Sequence, residues 1–367
     1  MAVVGSTWWA LDRSVQAVPT FDDLATTTVP PATVRRPTPT SPTTSPTTAP
    51  TTLQLPGTDG LTALLVFSVG SKGVDSTEAG RTGVGDERAG QADGLTDSMA
   101  LVVLDPGTDR VSVLSLPRDT WLADRGRKLN AVYNLEGPQA LADTVTELTG
   151  IEVNHMLQVN FAAVVDVVDT LGGIDVTVPA AMRDQATGLD LAPGCQRLEG
   201  TQALALVRSR KLDYDAGNGW VRDPTGDFGR IERAQQLAAA ALADPVALVD
   251  ALPGLLAAAE DNLVRDKGLD TATVLSLAAT IATASEVDMF QPPATAARRG
   301  SASVVVWNDA IPQIDALASA QRAGRLSGTE LDNRPGATAP GAPAPGFPRV
   351  EIASVSPAPA ITPGCTR

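Results

Sequence analysis

The chain has 367 residues, 43% hydrophobic, 19% charged and 4% aromatic, which suits one large domain or two ordinary ones and is too long for a disulfide-stapled peptide. Its 42 acidic and 28 basic residues leave a formal charge of −14, which argues against nucleic acid as the main partner but leaves room for a local arginine-lined anion site. With two cysteines and one histidine, a Cys/His zinc site and a redox CxxC pair are excluded, and any bound metal must rely on carboxylates, which favours Mg2+ or Mn2+.

Residues 2–11 form an apolar run of about half the ~20 residues that cross a bilayer, carrying Trp8-Trp9 near its end and followed by Asp12 and Arg13. We read residues 1–25 as the remnant of a membrane anchor whose first half lies before residue 1. Residues 26–60 follow as a linker, and their Pro/Thr/Ser-rich stretch 26–52 cannot bury a core and forms an extended spacer. Residues 61–325 are the folded unit. Residues 326–367, rich in Pro, Ala and Gly, read as a mostly unfolded tail.

Within the folded unit, the near-continuous apolar run 61–70 predicts a buried strand. The Gly-rich, charged stretch 71–96 predicts a loop. A second buried strand follows over 98–104, an Asp-Pro-Gly turn over 105–107, and a hairpin partner over 110–116. Residues 139–148 read as a helix and 155–159 as a short strand. Phe161, Val164, Val165 and Val168 form one helix face, which Gly172-Gly173 ends. A strand over 174–178 and helices over 200–208 and 230–242 come next. The Ala/Leu-rich stretch to about residue 284 reads as more helix, and 303–307 as a last strand. Strands interleaved with helices predict a layered α/β domain, and the hairpin predicts a mixed sheet.

Several charged residues stand at strand and helix ends. Asp97 adjoins the second strand, and Arg118-Asp119 follow the third. An antiparallel hairpin brings those ends together, so Asp97, Arg118 and Asp119 should converge. Arg208, Ser209, Arg210 and Lys211 close one helix, and Arg230 and Arg233 share a face of the next. Converging arginines grip diphosphates through bidentate hydrogen bonds, and a carboxylate among them can hold Mg2+.

These residues sit in recognisable pieces: Val69-Gly70-Ser71, Thr96-Asp97-Ser98-Met99, Ser115-Leu116-Pro117-Arg118-Asp119-Thr120, Lys128-Leu129-Asn130-Ala131, Leu171-Gly172-Gly173-Ile174-Asp175-Val176, Val207-Arg208-Ser209-Arg210 and Asp227-Phe228-Gly229-Arg230-Ile231. In order and spacing this run resembles the LytR-CpsA-Psr (LCP) family of bacterial cell-wall enzymes, in its actinobacterial form. The resemblance implies an α/β fold: a three-layer α/β/α sandwich around a mixed central sheet, with a hydrophobic lipid pocket, making residues 61–325 an LCP-type catalytic domain. It implies transfer of a phospho-glycopolymer from a polyprenyl-diphosphate carrier to peptidoglycan, at the extracytoplasmic face of the cell membrane. It assigns Asp97, Arg118, Asp119 and Asp227 to catalysis, with Asp97 as the Mg2+ (or Mn2+) ligand. Arg208, Arg210, Arg230, Arg233 and Lys128 are assigned to substrate binding.

The chain departs from the family pattern at Lys72, where a further metal-site acid is common, and at Ala234, where Gln is common. Two rival functions share these residues: a lipid-diphosphate pyrophosphatase and a non-enzymatic polyprenyl-phosphate-binding scaffold. His155 has no nucleophile motif around it and reads as a strand-end residue. Cys195 and Cys365 can pair if the domain is exported, which their separation in sequence leaves open.

Overall fold

A computed structural model of the chain describes residues 11–21, 61–69, 96–105, 108–243, 251–257, 262–308, 311–323 and 358–365. The first three strands, β1 (Thr62–Val69), β2 (Thr96–Asp105) and β3 (Arg110–Ser115), form an antiparallel meander. The β2–β3 turn contains Asp109 at φ 53°, the one positive-φ non-glycine residue among those described. A small hairpin, β4 (Trp121–Leu122) and β5 (Arg127–Lys128), leads into helix α1 (Val132–Thr149). The predicted helix over 139–148 therefore starts earlier than expected. Its first turn is set off by a break at Gly137 (φ 88°), after which Pro138 opens the second piece.

Strand β6 (His155–Val159) joins β1 in parallel. Helix α2 (Phe161–Thr170) follows, capped by the Asn160 side chain, which accepts from the Ala163 amide at 3.0 Å. Strands β7 (Ile174–Val178), β8 (Met182–Asp184), β9 (Leu189–Leu191) and β10 (Gly194–Leu198) precede helix α3 (Gly200–Arg208). Gly200 is required there, because a Cβ would sit 2.5 Å from the Val165 carbonyl oxygen of α2. Strands β11 (Asp213–Asp215) and β12 (Trp220–Arg222) lead to helix α4 (Asp227–Ala241). After β13 (Leu263–Arg265) come helix α5 (Thr271–Thr283), strands β14 (Glu286–Phe290), β15 (Ala294–Arg299) and β16 (Ala302–Trp307), helix α6 (Pro312–Ala323) and β17 (Thr362–Pro363).

The central sheet runs β13-β6-β1-β2-β3-β14, with β6 parallel to β1, β14 parallel to β3 and the other pairings antiparallel, so the predicted mixed sheet is present. Its strand β13 falls in the stretch read as helix. Three residues are too few to show a period, and the strand exists because it pairs with the edge of β6. The expected last strand, 303–307, is β16, which pairs with β15 outside the central sheet. One face of the sheet carries Ala63, Leu65, Leu101 and Leu114, all fully buried, packed under Leu141 and Val145 of α1 and Ile314 and Leu317 of α6. The opposite face looks toward α2, α3 and α4. That is the three-layer α/β/α sandwich.

Both ends of the chain depart from expectation. Within the segment read as an anchor remnant, residues 11–17 are helical, and buried Leu11, Val15 and, just after the helix, Val18 dock it on the domain. Asp12 accepts from Thr271 at 2.7 Å, and the Val15 carbonyl accepts from Arg265 Nε at 3.1 Å. Trp8-Trp9 and Lys72 lie outside the described residues, as does the linker 26–60. In the C-terminal segment read as unfolded, residues 358–365 close onto the domain. β17 pairs with β7, Ile361 is 2% exposed, and Cys365 forms a disulfide with Cys195 of β10. Burial of one isoleucine and one covalent bond outweigh a composition that otherwise disfavours order. No helix among the described residues is long and apolar enough to cross a membrane.

Candidate functional site

The second face of the sheet meets a cavity of about 970 Å³. Leu157, Val66, Ala100 and Ser115 form one register row across four strands and floor it. Val164, Val167 and Val168 of α2, Leu204 of α3 and Leu237 of α4 wall it. Because these helices stand off from the sheet, apolar strand residues that would otherwise be core remain available to a ligand. The volume is at the upper end of what small-molecule sites enclose, and the wall is suited to a long apolar chain.

Charge gathers around one part of this cavity. Asp97, Arg118, Arg208, Arg210, Lys211 and Arg230 all line it. The β2–β3 hairpin brings Arg118 Nη1 to 2.5 Å from Asp97 Oδ1, as the sequence predicts. Arg210 lies 3.6 Å from Asp97 and, through Nε, 3.0 Å from Asp227. Arg230 is only 4% exposed: it donates from Nε to Asp227 at 2.8 Å and from Nη1 to Ser98 Oγ at 2.8 Å. Arg208 stacks its guanidinium over the Phe161 ring at 4.4 Å, joining the charged region to the apolar wall.

The electrostatics are unbalanced toward the cations. Burial, followed by the neighbouring charge of Arg118, pushes Arg210 below its ordinary pKa; Arg230 adds to this, against the pull of Asp227 and Asp97. Burial alone would raise Asp227, but Arg230, Arg210 and Arg118 outweigh it and hold its carboxyl below the usual range. Asp227 is thus a fixed anion that orients two arginines. Arg118 Nε is buried without a hydrogen-bond partner, and Asp119 Oδ2 stands 3.9 Å from it.

Other predicted site residues are placed differently. Asp119 pairs with Lys128 at 2.8 Å and stands 3.9 Å from Arg118 Nε, and neither Asp119 nor Lys128 lines the cavity. Arg233, predicted to bind substrate, is buried away from it: Nη1 pairs with Asp223 at 2.9 Å and Nη2 donates to the Ser209 carbonyl at 2.6 Å. It pins the segment between Arg208 and Arg210 and is a positioning residue. Arg230 and Arg233 start from the same helix, and their different partners send them to different places. The sequence reading did not find Asp184, which does a parallel job by accepting from Ser209 Oγ at 2.8 Å and the Lys211 amide at 2.9 Å. It lies 25 residues from Ser209 and no motif marks it.

Among the described residues, no three Asp, Glu, His or Cys side chains group to hold an ion. Of the carboxylates lining the cavity, Asp184 is occupied as described and Asp97 faces the arginines. A single carboxylate fits Mg2+ only where oxygens of a bound phosphate and water complete its shell.

An apolar cavity joined to clustered arginines on an α/β/α sandwich suits an amphipathic anion. The chain belongs to the LytR_cpsA_psr family, whose profile matches residues 73–323. It is 30% identical over 192 residues to a probable cell wall biosynthesis protein, LcpB, of Corynebacterium glutamicum, covering 52% of this chain and 43% of that protein. It is 36% identical over 156 residues to the polyisoprenyl-teichoic acid–peptidoglycan teichoic acid transferase TagU of Bacillus licheniformis, covering 41% of this chain and 47% of that protein. A solved LytR-Csp2A-Psr enzyme from Actinomyces oris is similar with a TM-score of 0.53 and 25% identity, over 71% of this chain and 90% of that chain. The chain matches about half the length of LcpB and TagU.

Proposed function

We propose that this protein transfers a phospho-glycopolymer from a polyprenyl-diphosphate carrier to peptidoglycan at the extracytoplasmic face of the cell membrane. The observation that carries the reading is the continuity of a 970 Å³ apolar cavity with Arg118, Arg208, Arg210 and Arg230. The cavity takes the lipid tail and the arginines take the diphosphate. The TagU relative's name describes a transfer of the same kind. The Cys195–Cys365 disulfide supports a location outside the reducing cytoplasm.

An acceptor hydroxyl oxygen attacks the phosphorus that carries the glycopolymer, the bond from that phosphorus to the lipid phosphate breaks, and the hydroxyl proton passes to the departing lipid phosphate or to water. Negative charge then grows on the departing lipid phosphate. Guanidiniums already oriented by Asp97 and Asp227 meet that charge without reorganising, which lowers the barrier. Asp97 is the residue that would hold Mg2+, which would neutralise further phosphate charge. Lys128 and Asp119 brace Arg118 from outside the cavity.

The test is product analysis with purified protein, a polyprenyl-diphosphate-linked oligosaccharide and soluble peptidoglycan strands. The expected product is oligosaccharide phosphate joined to peptidoglycan, with polyprenyl monophosphate released. Release of lipid phosphate at the same rate without acceptor, and no joined product, would make the protein a pyrophosphatase. Lipid binding with no turnover would make it a scaffold.

A further inference from the structure

We propose that the outer face of the four-stranded sheet β12-β11-β8-β9, centred on Trp220, is the platform on which the acceptor glycan lies, an inference that rests on the proposed transferase function. Residues alternate across this sheet. Met182, Asp184, Leu189, Leu191 and Tyr214 turn inward and are buried. Arg183, Asp190, Asp213, Asp215, Trp220 and Arg222 occupy the other face. Trp220 is 42% exposed, the one aromatic residue among the large exposed hydrophobics described. The Arg183 guanidinium lies over its ring at 3.9 Å, which fixes the indole in place.

The platform begins at the charged part of the cavity. Lys211 lines the cavity, is exposed, and stands two residues before β11, whose hairpin with β12 is closed at its base by the Asp223 amide donating to the Leu212 carbonyl at 2.8 Å. Asp215 is the cross-strand partner of Trp220. At about 3.3 Å per residue, the strip from Lys211 to the Trp220 row runs roughly 13 Å, within reach of a short oligosaccharide extending from the reaction centre. Asp184, next to Arg183, faces the cavity, so one short strand serves both surfaces.

The chemistry selects a sugar. An indole held by a cation offers a rigid surface for the C–H face of a pyranose, and the ring is ordered before binding. Asp213 and Asp215 accept from hydroxyls, and Arg222, paired with Asp213 at 2.5 Å, donates to them. A peptide groove would need more than one apolar side chain. A nucleic-acid backbone would meet Asp190, Asp213 and Asp215.

The test compares wild type with Trp220→Ala and Trp220→Phe, all checked for unchanged thermal melts. Each is titrated by calorimetry with soluble uncross-linked peptidoglycan oligosaccharide and, separately, with a short-chain polyprenyl diphosphate. Trp220→Ala should weaken oligosaccharide binding roughly tenfold, equivalent to about 1.4 kcal/mol, and Trp220→Phe should recover most of it. Lipid affinity should match wild type in all three. Equal oligosaccharide affinity in wild type and Trp220→Ala, or no binding by wild type, overturns the platform and leaves the lipid reading intact. Failure of wild type to bind the lipid overturns the transferase reading, whatever the sugar titration shows.

Discussion

The Arg233–Asp223 pair lies behind the arginine cluster and supports it. Its side chains are 7% and 3% exposed, 2.9 Å apart, with the second Arg233 nitrogen on the Ser209 carbonyl. Asp223→Ala would leave that guanidinium charged, buried and without its counter-ion, a loss of about 3–5 kcal/mol. For a domain of this size each kcal/mol moves the melting temperature by about 2–4 °C, so the midpoint should fall by roughly 6–20 °C. Arg233→Met combined with Asp223→Leu removes both desolvation penalties and should regain part of the loss. The pair also has a pH signature. Burial raises Asp223, but hydrogen bonds from Thr225 and Arg233 outweigh it and lower its pKa. A carboxyl lowered on folding contributes stability that is complete above its unfolded value, about 3.9, and is lost as pH falls through the folded value. Circular-dichroism melts between pH 6 and pH 3 should therefore show wild type losing more stability than Asp223→Ala. A melt of Asp223→Ala within about 2 °C of wild type at pH 6 would refute the argument that this pair is a buried tie.

Arg118→Ala and Arg208→Ala should each weaken polyprenyl-diphosphate binding by roughly 10- to 100-fold, the scale of a charged hydrogen bond; near-wild-type affinity of both by calorimetry would place the diphosphate elsewhere. Mg2+ should bind the lipid-loaded protein and scarcely bind the apo protein, since Asp97 alone completes little of its shell; tight apo binding, or unchanged binding in Asp97→Ala, would mean that the ion sits at another site. Reducing Cys195–Cys365, which closes a separation of 170 residues, should cost up to about 5 kcal/mol. Differential scanning calorimetry with and without reductant measures this, and identical midpoints would show that the C-terminal segment holds without the bond.

The sequence alone determined β1, β2 and β3, because buried strands write themselves as apolar runs and a turn marks their hairpin. It determined α2, through apolar spacing at i, i+3, i+4 and i+7 and a closing Gly172-Gly173 pair. The Asp97–Arg118 contact followed from the hairpin, since strand connectivity brings those two ends together. The motif order was enough to identify the family. Tertiary structure alone decided the rest. Strands β13 and β14 exist by pairing with sheet neighbours, and a few residues carry no period of their own. Arg230 and Arg233, three residues apart on α4, were indistinguishable until Asp227 and Ser98 held one and Asp223 held the other. Likewise, local composition could not show that residues 11–21 and 358–365 dock, because docking depends on the surfaces waiting for Val18 and Ile361. A sequence records the preferences of each segment, but the partner that outweighs them lies tens to hundreds of residues away and is brought close only by the fold.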